Sequence, residues 1–247
     1  MMWVAGVDGC PGGWMAVFAR RDGAEPPRRR VVRAMAEVLD SPEEPAVVAI
    51  DMPIGLTERT EGPGRRPEQL VRPLLGARQS SVFSMPSRAA VHAPDYREAC
   101  ALARASSRPP RAVSIQGYGL FARVRELDAL LRSRRDLIGR VYEVHPEVAF
   151  WSMNGERPLP EPKKIKNVPY GPGLALRRDL LLAAGLDRDL VHAAPPAGAA
   201  ADDLVDALAG LVVALAIAEG RGRSFPDPPE RDPHDIPIAI WTLWTRP

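Results

Sequence analysis

The sequence predicts a single α/β domain with a mixed β-sheet and helices on its faces. Two observations lead to this prediction. Strand-like segments open the chain and return near its middle, and helical segments lie between and after them. The 247 residues, 45% of them hydrophobic, are enough for one substantial core. We therefore expect one domain over residues 1–247.

The N-terminal part of the chain predicts most of the sheet. Residues 3–8 and 14–20 are strand-like and are joined by a Gly/Pro turn, which indicates a hairpin. Residues 28–35 predict a third strand. Residues 45–53 form a continuous apolar run that ends at Pro53, which is typical of a fully buried central strand.

The segment after the central strand predicts a mainly helical insertion, at about 57–135. Short helices are expected at 66–77 and 94–105, separated by a Ser-rich loop at 78–88. A longer helix is expected at 116–132, where six apolar residues fall on one helical stripe.

The C-terminal part of the chain predicts one more strand and then helices. Residues 140–151 are rich in β-branched and aromatic residues and predict a strand. A long Pro/Gly loop follows at 155–173, then helices at about 174–184 and 203–219. The tail at 235–244 fits either a late strand or a packed extension.

Composition excludes several classes of protein. The formal net charge of +2 gives no general affinity for nucleic acid, so any such contact needs a local patch. Two cysteines make neither a disulfide framework nor a four-ligand zinc site. The N-terminus lacks the charged region of a signal peptide, and the longest apolar run, at 208–218, is too short to span a bilayer. We expect a soluble cytoplasmic protein without a membrane partner; a dimer is compatible with the sequence.

Four aspartates from distant parts of the chain predict one site. Asp8 ends the first strand and Asp51 ends the central strand, so parallel pairing of these strands places both carboxylates in one crevice. Asp203 and Asp206 share a face of an apolar helix. Asp203 is also explained as a helix cap, but Asp206, a full turn inside, needs a proton, a partner or a cation.

These oxygen ligands suit a pair of Mg²⁺ or Mn²⁺ ions, which activate water and stabilise a leaving oxygen in phosphodiester hydrolysis. The predicted metal ligands are therefore Asp8, Asp51, Asp203 and Asp206, and Glu143 on the later strand is a further catalytic candidate. In this interpretation, the glycines after Asp8 leave room for a phosphate backbone.

Cationic and hydroxyl side chains supply candidate contacts to a nucleic acid. All the lysines of the chain lie within four positions, and Lys163 and Lys164 are candidates to hold a phosphate oxygen. Further candidates come from the Ser-rich loop and its flanks: Arg78, Ser80, Ser81 and Arg88. A solvated lysine loop and a well-capped serine loop are equally open interpretations.

Six motifs resemble, in order, an uncharacterised family of predicted RNase H-like nucleases. They are GVDGCPGGW, AIDMPIGL, RQSSVFSMPSR, SIQGYGLFARVRELD, YEVHPEVAFW and DDLVDALAG. The last also resembles the Asp-x-x-Asp-Ala-Leu helix of Holliday-junction resolvases. The resemblance implies an RNase H-like fold and a metal-dependent nuclease acting on RNA or DNA. The segment KKIKNVPYGPG departs from the family pattern, in which Thr and then Gly-Arg follow the lysine pair.

Two other functions remain open at this stage. A phosphotransferase of the sugar-kinase and actin type shares an Asp-Gly turn after its first strand, but such proteins use two domains to enclose a nucleotide. A binding protein that keeps the carboxylates without turnover is the other alternative.

Overall fold

The computed structural model describes residues 2–166 and 168–244. In chain order its strands are β1 (Trp3–Cys10), β2 (Gly13–Arg20), β3 (Arg28–Val32), β4 (Val47–Ile50), β5 (Thr60–Glu61), β6 (Ser107–Arg108), β7 (Val141–Glu143), β8 (Lys164–Ile165), β9 (Val168–Pro169), β10 (Gly222–Arg231) and β11 (Pro237–Leu243). Its α-helices are α1 (Met35–Leu39), α2 (Arg66–Val71), α3 (Arg88–Val91), α4 (Tyr96–Ala105), α5 (Ile115–Tyr118), α6 (Phe121–Ser133), α7 (Pro146–Met153), α8 (Gly171–Ala183), α9 (Arg188–Val191) and α10 (Ala201–Ala218).

The central sheet has five strands in the order β3-β2-β1-β4-β7. The first three strands of the chain form an antiparallel meander, and β4 and β7 extend it in parallel with β1. This confirms the prediction of an α/β protein with a mixed sheet, and it confirms the early hairpin and the central position of β4.

Helices cover both faces of the sheet, because alternate side chains of each strand point to opposite sides. On one face Ala5 and Val7 of β1 pack into a core that includes residues of α1, α3, α4 and α6. On the other face Val4 and Cys10 pack with α7, α8 and α10. The insertion between β4 and β7 therefore supplies much of one layer, and the C-terminal helices supply the other.

Helix α10 packs directly on the backbone of β1. A Cβ atom added at Gly6 would lie 2.1 Å from both the carbonyl oxygen of Ala207 and the amide nitrogen of Leu211. On the helix, a Cβ added at Gly210 would lie 3.1 Å from the carbonyl oxygen of Ala49. Glycine is required at Gly6 because only a bare backbone permits this approach. The close contact fixes the start of α10 beside the ends of β1 and β4.

The tail is strand β11, one of the two alternatives for it, and it pairs with a strand, β10, that no sequence pattern indicated. Two expectations need correction. Residues 140–151 are not one strand: β7 ends at Glu143 and α7 begins at Pro146, since proline favours the first turn of a helix. Short strands also interrupt the insertion and the Pro/Gly loop: β5, β6, β8 and β9.

Within the described part of the chain, no helix combines the length and the apolar character needed to cross a membrane.

Candidate active site

Strands β1 and β4 place two carboxylates at the same edge of the sheet. Val7 pairs with Ile50 in parallel register, so Asp8 and Asp51 follow directly, and the amide of Asp51 donates to the carbonyl of Val7 at 2.9 Å. By strand alternation Asp8 lies on the same face as Gly6, the face covered by α10. The sequence prediction that these two strands are parallel neighbours is confirmed.

Helix α10 brings a third carboxylate to this edge. Asp206 lies in its second turn, is 2% exposed, and has an Oδ1 atom that is buried without a hydrogen-bond partner. Asp8 is 8% exposed. The close packing of α10 on Gly6 is what allows a helix side chain to reach the strand ends.

The charges of the three carboxylates act on one another. Burial, together with the charges of Asp51 and Asp206, raises the pKa of Asp8 well above its usual range. Burial raises the pKa values of Asp51 and Asp206 to about 6 each, although the positive charge of Lys163 acts to lower both. Desolvation and mutual repulsion thus disfavour three bare negative charges in this crevice.

Lys163 is the cation of the crevice. Its Nζ is hydrogen-bonded and ion-paired to Oδ2 of Asp206. Although burial alone favours the neutral amine, the charges of Asp206, Asp8 and Asp51 raise the pKa of Lys163 above its usual range. We call Asp8, Asp51, Asp206 and Lys163 the acidic crevice.

The other predicted residues of this region have their own partners. Asp203 accepts a 2.8 Å hydrogen bond from the amide of Ala200 and thereby caps α10; its charge has a smaller effect on Asp8 than those of Asp51 and Asp206. Lys164 forms a 2.6 Å ion pair with Asp202. Asp203 therefore combines a structural role with a position at the rim of the crevice.

Glu143 lies at the end of β7 and is engaged by a buried arginine. Its Oε1 forms a 2.7 Å ion pair with Arg65, and its Oε2 accepts a 2.7 Å hydrogen bond from the amide of Ile54. Burial raises the pKa of Glu143 to about 7 against the charge of Arg65. Because side chains alternate along β7, Glu143 lies on the face of the sheet opposite to α10. Its contacts with Arg65 and with the amide of Ile54 indicate a structural role, in which Glu143 stabilises the loop after β4.

We expect Glu143→Gln to lower the melting temperature while leaving metal-induced stabilisation intact. The neutral amide weakens the pair with Arg65, and loss of such a buried interaction costs about 1–3 kcal/mol. Thermal melts at pH 8, in chelator and in Mn²⁺, measure both effects, with Asp51→Asn as the comparison. Unchanged stability in chelator combined with loss of the metal-induced shift would instead make Glu143 a ligand.

One predicted residue of the Ser-rich segment lies beside the crevice, and others contact the rest of the fold. Ser81 lines a cavity beside the crevice, and its hydroxyl donates to the carbonyl of Arg78 at 2.8 Å. Ser80 is exposed at the end of a 3-10 helix over Arg72–Ser81. Arg88 instead pairs with Asp128 at 2.5 Å and Asp232 at 2.6 Å, so its charge is balanced within the fold.

Glu147 of α7 was missed as a site residue because its segment was expected to be a strand. Glu147 is 5% exposed, its Oε1 pairs with Arg177 at 2.6 Å, and its Oε2 is buried without a partner. Its charge contributes to the raised pKa values of Asp51 and Asp206. His145 precedes it, lines the cavity, and has a pKa lowered by burial. The Pro-Glu pair at 146–147 was the available signal, since it is typical of a helix start.

The glycines after Asp8 pack closely against side chains on one side. A Cβ added at Gly9 would lie 3.1 Å from the side chain of Arg123, and one at Gly12 would lie 2.8 Å from Val31. Gly9 also borders the open cavity beside Asp8. Cys10, the last residue of β1, is buried, and desolvation raises the pKa of its thiol, which disfavours a nucleophilic thiolate.

The donor chemistry of the crevice fits a hard divalent cation, although the crevice is not arranged around one. Among residues 2–166 and 168–244, no three His, Cys, Asp or Glu side chains converge closely enough to hold a metal ion as they stand. The ammonium of Lys163 balances the negative charge of the carboxylates instead. Oδ1 of Asp206 has no hydrogen-bond partner and is an oxygen atom that could ligate a metal ion. Oxygen-only donors suit Mg²⁺ and Mn²⁺ once the ammonium withdraws.

The fold and the crevice define a mixed α/β protein with an acidic site at the carboxyl ends of parallel strands. The chain belongs to the family described as "Protein of unknown function (DUF429)", whose model matches residues 6–231. No curated protein and no solved structure matches the chain. The resemblance to an uncharacterised family is thereby confirmed.

Proposed function

We propose that this protein is a metal-dependent nuclease of RNase H-like fold that hydrolyses phosphodiester bonds in RNA or DNA. The observation that carries the proposal is the meeting of Asp8, Asp51 and Asp206, from three distant parts of the chain, around one ammonium group. The order of the six sequence motifs and the mixed five-stranded sheet support the RNase H-like assignment.

In this function Asp8, Asp51 and Asp206 hold Mg²⁺ or Mn²⁺, with Asp203 at the rim. A bound divalent ion lowers the pKa of a coordinated water and stabilises the leaving oxygen. Burial of the carboxylates strengthens their attraction for a cation, because a low local dielectric screens charge poorly.

Lys163 has a second role in the proposal. Its side chain is 30% exposed and lies just before the short strand β8, so it reaches the crevice from a surface loop. When it leaves Asp206, its ammonium is free to hold a phosphate oxygen of the substrate strand. Lys164 pairs with Asp202 beside it and adds positive charge along the same path.

A cleavage assay tests this function directly. Single-stranded, duplex, RNA–DNA hybrid and branched substrates are incubated with the protein in chelator and in Mn²⁺. We expect at least one substrate to be cleaved in Mn²⁺ and to be intact in chelator. Nucleotide hydrolysis without strand cleavage would favour a phosphotransferase. Substrate binding without any turnover would favour a binding protein.

A further inference from the structure

A cavity of about 140 Å³ opens directly beside the acidic crevice. Asp8 and Asp51 belong to its wall, so it is continuous with the carboxylates. The rest of the wall is formed by Gly9, Met52, Pro53, Glu68, Ser81, Val82, Phe83, Leu120, Arg123, Glu143, Val144, His145 and Ile240. Nothing in the proposed hydrolysis uses this space.

The size of the cavity matches one aromatic ring. Protein cavities of about 150 Å³ hold a single benzene-sized ring. A cavity of about 140 Å³ therefore holds a whole six-membered heterocycle, whereas a fused two-ring system would extend out of its open side. Size alone thus favours a pyrimidine over a purine.

The wall chemistry suits a flat ring with polar edges. Phe83, Leu120 and Met52 give apolar contacts, and Phe83 is 36% exposed, so its ring is accessible from solvent. Aromatic and apolar side chains bind nucleobases through their faces. Arg123 adds hydrogen-bond donors, which match the acceptor oxygens on the edge of a pyrimidine.

Arg123 is held in place for such a role. Its Nη2 donates to the carbonyl of Cys10 at 2.5 Å, and its guanidinium lies 5.6 Å from the ring centroid of Trp14. Gly9 lacks the Cβ that would press on this side chain at 3.1 Å. The glycine after Asp8 therefore makes room for an arginine that lines the cavity.

We propose that this cavity binds a pyrimidine base of the nucleic-acid strand beside the acidic crevice. The proposal deepens the nuclease function and rests on it for the identity of the strand. Base binding in the cavity implies that the strand is single or locally unpaired at this point, because a stacked, paired base cannot enter a pocket.

Titration with neutral nucleosides in chelator tests the pocket without metal or a cleavable bond. Amide shifts of the ¹⁵N-labelled protein are followed with uridine, cytidine and adenosine. We expect both pyrimidine nucleosides to shift the amides of residues 81–83 and to bind about fivefold or more tightly than adenosine. Because no cleavage is involved, the result is independent of whether the nuclease assay succeeds.

Variants of Phe83 make the test specific. Phe83→Ala should weaken uridine binding at least about fivefold, the loss expected when one base–aromatic stack is removed. Phe83→Trp keeps a stacking face and should retain binding. Ile115→Ala, at a 60% exposed position outside the cavity, is the control and should bind as wild type. Absence of nucleoside binding, equal or tighter binding of adenosine, or an unaffected Phe83→Ala would each overturn the proposal.

Discussion

Asp8→Asn is expected to reduce Mn²⁺-stimulated cleavage about a thousandfold or more. The charges of Asp51 and Asp206 both act on Asp8, which joins it to the other proposed ligands. Metal stabilisation of charge in the transition state contributes several kcal/mol, and each 1.36 kcal/mol corresponds to a factor of ten in rate. The amide keeps the shape of the carboxylate and removes the charge that attracts the cation.

The same variant should remain folded and should melt in chelator at or above the wild-type temperature. One fewer negative charge relieves the repulsion that raises the pKa of Asp8. Asp136→Asn, on the 61% exposed side chain of Asp136, is the matched control and should keep full activity. Undiminished cleavage by well-folded Asp8→Asn would remove this residue from the active site.

Local sequence patterns were sufficient to predict the strands at the centre of the fold. The continuous apolar run before Asp51 and the strand that ends near Asp8 indicated two neighbouring strands, and the structure has them as the parallel pair β1 and β4. Helix α10 is apolar on nearly all its faces, which predicted that it is buried. A buried helix in turn indicated that Asp206, a charged residue without a local partner, needs a special role. These features depend on residues close together in sequence.

Features that depend on distant residues were not predictable. The pair between Arg65 and Glu143 spans 78 positions, and that between Arg177 and Glu147 spans 30. Glu143 therefore looked like a free strand carboxylate. The end of β7 was missed because the β-branched and aromatic content of its segment outweighed the helix-start signal at Pro146.

The lysine loop shows the same limit. Its lysines were candidates to hold a phosphate oxygen, with a solvated loop equally open, whereas in the structure Lys163 pairs with Asp206 and Lys164 pairs with Asp202. Sequence alone could not reveal these partners, because the loop and α10 are separated by more than thirty residues. The substrate role of the loop therefore stays a proposal that begins with the release of Lys163.

Lys163→Met should destabilise the metal-free protein at pH 8 by about 1–3 kcal/mol and much less at pH 5. Removing one partner of a buried pair costs about 3–5 kcal/mol, and the 30% exposure of the lysine side chain reduces this. At pH 8, above their pKa values of about 6, the variant leaves Asp51 and Asp206 charged without their ammonium. The pH dependence is what separates this electrostatic role from lost packing.

The sign follows from the pKa values of the folded chain. Asp51 and Asp206 have pKa values of about 6, above the ordinary 3.8, so the folded state holds these protons more tightly than the unfolded state. Their stabilising contribution is complete below about pH 4 and is lost as the pH rises through about 6. Near pH 5 these carboxyls are largely protonated in both proteins, so the ammonium contributes little. Above pH 6 only wild type has a cation to balance them.

Thermal melts at pH 5 and pH 8, in chelator and in Mn²⁺, measure both halves of the prediction. Mn²⁺ should stabilise Lys163→Met more than wild type at pH 8, because the ion no longer has to displace an ammonium. Lys164→Met is the matched control: its partner is Asp202, which does not belong to the acidic crevice, so its response to Mn²⁺ should equal that of wild type. Equal destabilisation of Lys163→Met at both pH values, with no gain in the metal response, would show that Lys163 stabilises the fold by packing and is not the counter-ion of the carboxylates.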